Sequence, residues 1–199
     1  MKWDYTYLSF KDSKNRYRVM KIRFTIFNQA DLKVMSAEEF DGNDEVVYGY
    51  FEISFGGHAE GEYFDFDIPE ELVGGEALNY WFESLLEVLH LFQNEKTNYV
   101  AIRVIEYVDR WIEMKKISDR ICLNVVQAEN RGKLLRTSQL GDPHYEHPLN
   151  TMENYDSFYQ EIIRATTELF EEIRRLNPNL MKTRAVVRIS NYLHDLENK

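Results

Sequence analysis

From Tyr17 to Phe27 the chain alternates. Val19, Lys21, Arg23, Thr25 and Phe27 fall on one parity, and Met20, Ile22, Phe24 and Ile26 on the other. A period of two belongs to a strand with one buried face, here the second set. Before it, Trp3 to Phe10 reads as a short aromatic strand and Lys11 to Asn15 as a polar turn. Ala37 to Glu45 is an acidic connection with Asp41, Gly42 and Asn43 as turn residues. Val46 to Phe55 and Tyr63 to Ile68 read as a hairpin around Gly56-Gly57-His58-Ala59-Glu60-Gly61.

The period then changes. After Gly74-Gly75, Leu78, Trp81, Phe82, Leu85, Leu89 and Phe92 recur at three and four, the apolar stripe of a helix. Glu76 falls in its first turn, where the helix dipole favours an acid. Asn79, Glu83, Glu87, His90 and Asn94 form the opposite face. Tyr99 to Val108, Trp111 to Ile117 and Arg120 to Ala128 predict a meander, with turns at Asp109-Arg110 and Ser118-Asp119. Asn130 to Asn150 is a polar loop. Thr151 is the expected N-cap of a helix running to Leu176 on the stripe Tyr155, Phe158, Ile162, Thr166, Leu169, Ile173 and Leu176. Asn177-Pro178-Asn179 stops it. Lys182 to Leu196 predicts a last helix. The sum is an α+β chain: antiparallel sheet in two β-meander segments separated by a helix, packed by helices and ending in a helical pair. A single domain over 1–199 is expected, with an acidic half at 1–95 and a meander-plus-helix half at 96–199.

Charge changes this picture. The sixty-two residues from Val34 to Glu95 hold no lysine or arginine and sixteen carboxylates, so all 24 bases of the chain lie elsewhere. An acidic block of this kind bears on partners and fields rather than on fold. A chain of net charge −10 is repelled by nucleic acid and by anionic membranes, and neither is expected as a partner. Apolar runs are too short to span a bilayer, and the first residues lack the apolar region of a signal peptide. Cys122 is the one cysteine; set in an apolar strand, it reads as a buried small hydrophobe. A cytoplasmic location is expected.

The predicted hairpin is the most interesting surface. Its outer face would carry Tyr48, Tyr50, Glu52, Tyr63, Asp65 and Asp67: tyrosines as anchors, carboxylates to steer and pair a basic protein partner. The other candidates are weaker. Gly56 to Gly61 lacks the spacing of a phosphate loop and lies between strands. Glu87-Val88-Leu89-His90 has the Glu-x-x-His spacing of di-iron bundles, but no second copy exists on another helix. His144-Tyr145-Glu146-His147, after Asp142, sits in a surface loop rather than on the rigid elements that hold metals. Glu113-Met114-Lys115 lacks the upstream acid a nuclease would need.

No catalytic residue, metal site or cofactor is therefore expected. The expectation is a non-enzymatic acidic module that binds a basic protein, in the manner of an intracellular inhibitor or immunity-type protein. Two alternatives stand beside it. One is a hydrolase or metal-dependent enzyme using the 56–61 or 142–147 loops. The other is a homo-oligomeric structural subunit.

Overall fold

Strand β1 (Lys21–Ile26) is the first element of the computed structural model, which describes residues 19–27, 30–43, 46–64, 75–105, 107–129, 132–145 and 150–198. Next come helix α1 (Ala37–Gly42), β2 (Tyr48–Phe55), β3 (His58–Glu62), β4 (Glu76–Ala77) and helix α2 (Leu78–Gln93). The second half holds β5 (Tyr99–Arg103), β6 (Arg110–Ile117), β7 (Arg120–Gln127), β8 (Leu135–Arg136), β9 (Thr151–Asn154), α3 (Tyr155–Leu176) and α4 (Arg184–Glu197). The protein is α+β, and every strand pairing is antiparallel. One sheet runs β1-β2-β3, with β4 also on β2; the other runs β8-β5-β6-β7-β9. The expected strand at Trp3 to Phe10 lies outside the described residues.

One apolar cluster joins both sheets to the three long helices. It takes Ile22 from β1, Phe51, Ile53 and Phe55 from β2, and Val100, Ile112 and Leu123 from the meander. The helices add Trp81, Leu85, Phe158, Leu169 and Ile189. Trp81 stacks on Phe51 at 4.6 Å between centroids, and its indole N–H is satisfied by Glu76 at 2.9 Å. Glu76 itself lies in β4, just before the helix it was expected to open.

The structure corrects several boundaries. Residues 37–42 form a helical turn rather than a loop, because Ser36 and Glu39 make a reciprocal capping box. That Ser-x-x-Glu signal stands in the sequence and outweighs the turn residues that follow it. The hairpin is tighter than expected. Gly56 (φ 57°) and Gly57 (φ 82°) make a two-residue turn and β3 begins at His58, so His58 to Gly61, expected in the connection, is strand. A side chain at Gly56 would meet the Thr151 hydroxyl at 1.9 Å, since the turn is pressed on β9. Thr151 starts β9 instead of capping a helix. Asn154 caps α3, its side chain accepting from Ser157 N–H at 3.1 Å.

Two outer surfaces are covered, the polar face of α2 and one face of the five-stranded sheet. On α2, Asn79 is buried and accepts from Val47 N–H at 3.0 Å. Glu83 meets Arg188 at 3.3 Å, and His90 packs edge-on against Tyr192, both on α4. The five-stranded sheet is likewise buried on its outer face. There Tyr99, Ala101, Trp111 and Val126 lie beneath Leu140 of the 132–145 segment. That segment is docked rather than free: His144 and Gln127 exchange backbone hydrogen bonds of 2.7 and 2.9 Å.

Candidate functional site

The β2–β3 hairpin inherits its inward face from strict alternation. Val47, Gly49, Phe51, Ile53 and Phe55 are all buried. The opposite parity is where the expected partner surface lies, and its residues have separate fates. Tyr48 is 38% exposed. Tyr50, expected beside it as an anchor, is buried edge-on between Phe27 and Phe64, with centroids at 4.8 and 5.1 Å. Glu52 receives Arg23 Nη2 at 2.7 Å and Nε at 3.1 Å. The same guanidinium lies 4.6 Å from the Tyr63 ring centre. Glu52 and Tyr63 are thus brought together by a base from the neighbouring strand. Asp65 and Asp67 lie outside the described residues.

Arg23 belongs to a pattern that local reading does not reveal. Among the described residues, arginines from outside the acidic stretch pair with its carboxylates four times. Arg23 meets Glu52, Arg110 meets Glu60, Arg184 meets Asp41, and Arg188 meets Glu83. Sequence separations of 29, 50, 143 and 105 residues explain why no window could show it. The exposed carboxylates Glu38 and Glu62 retain their place on the surface.

Glu60 is the most enclosed of these four acids. It is 3% exposed, takes Arg110 Nη2 at 2.6 Å and touches His58 Nε2. Burial pushes its carboxyl up, but the His58 and Arg110 hydrogen bonds and charges outweigh this and hold it below the usual range. Because Arg110 opens β6, this group ties the two sheets together. Chemically, a carboxylate-oriented imidazole is half of an acid–base pair.

A second enclosed carboxylate, Glu113, sits on the outer face of the five-stranded sheet. Lys115 Nζ lies 3.0 Å from it, and the Tyr145 hydroxyl donates to both of its oxygens at 3.2 Å. The effect is to pin the 132–145 segment to the sheet. Cys122 lies across from Lys115, 8% exposed, and burial pushes its thiol up, away from nucleophilic character. Among the described residues, no three His, Cys, Asp or Glu side chains converge on a point that could hold a metal. His144 is exposed; Glu146 and His147 lie outside the described residues.

A groove of about 950 Å³ lies between the outer face of α2 and the 132–138 segment. Glu83 and Glu87 line it together with Lys133, Arg136 and Arg188. Burial first, and then the neighbouring Glu83, raise the Glu87 carboxyl, with Lys133 opposing. No helix among the described residues is long and apolar enough to cross a membrane. Comparison with family models, with curated proteins and with solved structures finds no match for this chain.

Proposed function

We propose that this is a non-enzymatic protein-binding module that recognises a basic partner through the hairpin side of its acidic stretch. An inhibitor or immunity-type protein held against a cationic toxin is the biological form that fits such chemistry. The observation that carries it is the incomplete internal neutralisation of the base-free stretch. Among the described residues four arginines come in from elsewhere, yet Glu38 and Glu62 remain exposed and Tyr48 is 38% exposed. Exposed carboxylates accelerate encounter with a cationic surface, and an exposed tyrosine holds it afterwards.

The test is capture from native extract at low and high salt, followed by association kinetics with the captured protein. Glu38→Lys together with Glu62→Lys should slow association at low salt, and Tyr48→Ala should raise the off-rate. Glu168→Lys with Glu172→Lys, on α3, should do little. Equal sensitivity at both places would leave net charge, not a localised surface, as the cause.

The His58–Glu60 contact favours an enzymatic second reading, with His58 as a general base. Loss of biological activity in His58→Ala, with fold and melting temperature intact, would establish that reading over the first.

A further inference from the structure

The start of β1 is held by two buried carboxyls of opposite character. Ile22 turns its N–H away from β2 and donates to Glu161 Oε1 at 2.8 Å. Met20, just before the strand, shares that parity, and its amide lies against Glu153. Glu161, on α3, is well supplied with charge. Arg164 reaches its two oxygens at 2.8 and 2.9 Å, and Lys21 Nζ lies at 3.5 Å. Glu153, on β9, is 4% exposed, and its Oε1 is enclosed without a partner.

The elements packed round Glu153 bring it no base. From β1, Lys21 goes to Glu161; from α3, Arg164 goes to Glu161 and Glu168. Opposite it on β7 stands Ile121, and beyond that on β6 Lys116 turns to Phe92 O at 3.1 Å and to the Tyr155 ring. The β2–β3 turn presents Gly56 to the neighbouring Thr151. An enclosed carboxyl without a base is unfavourable when charged. Burial accordingly raises Glu153, whereas Glu161 stays below its ordinary range. Water can reach an ionised Glu153 with least damage by way of Met20. The β1–β2 register begins at Lys21 and Ser54, so drawing Met20 back breaks no ladder bond, while moving β9 breaks its pairing with β7. The Met20 side chain, 1% exposed, opposes that movement and confines it to a local opening.

We propose that Glu153 is a proton-operated latch on the start of β1: neutral, it keeps Met20 closed against β9, and ionised, it lets Met20 open to water while Ile22 stays fixed on Glu161. The latch acts on the edge strand of the sheet that carries the β2–β3 hairpin, and is independent of the partner reading. The closed state binds the Glu153 proton more tightly than the open one. Closure is therefore fully favoured below the ordinary 4.5 and weakens as pH rises through the closed-state value.

The test is amide exchange by NMR on the full chain from about pH 4 to pH 8, each rate corrected for the intrinsic pH dependence of exchange. Met20 protection should fall by about threefold or more across this range, and Ile22 protection should stay level. Glu153→Gln, which cannot ionise, should make Met20 protection independent of pH. Should that variant fail to fold, the carboxyl carbon of Glu153 in the unchanged protein must titrate above the ordinary range and in step with the Met20 amide. Met20 protection that ignores pH overturns the proposal, as does a joint fall at Met20 and Ile22. So does loss at Ile121 and Glu153, paired across β7 and β9, with Met20 retained, which would make β9 the strand that moves.

Discussion

Helices α2 and α3 satisfy their carboxylates in opposite ways. Helix α2 lies inside the base-free stretch and has no cation of its own. Glu83 depends on Arg188 from α4, and the Glu87 carboxyl is raised by burial and by Glu83. Helix α3 interleaves its charges. Arg164 bonds Glu161 three residues before it and Glu168 four after, and Arg175 meets Glu172. The difference teaches that a single-sign segment must be neutralised from a distance, so its charges help to join elements. A mixed segment closes its own pairs and can lend the remaining capacity elsewhere, as Glu161 and Arg164 do to the edge of β1.

The largest effect should come from the apolar side of α2. Trp81→Ala empties a stacked aromatic site and leaves Glu76 without its indole donor, and should cost about 3–5 kcal/mol in chemical denaturation. A cost close to that of a surface change would mean that the helix is rotated from the orientation described here.

Next is Glu161→Ala on α3. It strips the Ile22 N–H of its acceptor, and about 1–3 kcal/mol should be lost. Burial pushes the Glu161 carboxyl up, but Arg164 and the Ile22 N–H more than offset this, leaving it below its ordinary 4.5. Its stabilising contribution is therefore present above 4.5 and is lost as pH falls through the folded value. Glu60 acts in the same sense. Urea titrations from pH 5 downwards should show a shallower acid limb for Glu161→Gln than for the unchanged protein.

Glu153 of β9 sharpens the contrast by having the opposite sign. Burial raises its carboxyl, with only the Met20 backbone opposing, and its Oε1 is enclosed without a partner. A raised carboxyl favours the fold when protonated, and that contribution is lost as pH rises through the folded value. Glu153→Gln should therefore raise the melting temperature at pH 7 and leave it nearly unchanged near pH 4.

The smallest effect should be at Glu83. Its pairing with Arg188 is solvent-exposed, and Glu83→Gln should change stability by about half a kcal/mol, less again in high salt. A cost rivalling that of Glu161→Ala would show that α2 and α4 are held by this pair rather than by their apolar contact.

Elements whose signal is local were legible in the chain. The alternation of Ile22, Phe24, Ile53 and Phe55, the helical stripe through Trp81 and Leu85, and the meander over Val100 to Val126 all follow from periodic burial of one face. The stop at Asn177-Pro178 was equally local. Their class, α+β with antiparallel sheet and a closing helical pair, was therefore readable. The acidic block was legible as composition, but its electrostatics were not. Whether Glu52, Glu60, Asp41 and Glu83 stand bare or paired depends on arginines distant in sequence, which only the packing of sheet on sheet and helix on helix brings near. The burial of Tyr50 between Phe27 and Phe64 was decided in the same way, as were the cover of α4 over Glu83 and His90 and the docking of Leu140 on the outer face of the meander. Periodicity reports that a side chain has two faces to choose from; which of them meets water is settled by elements elsewhere in the chain.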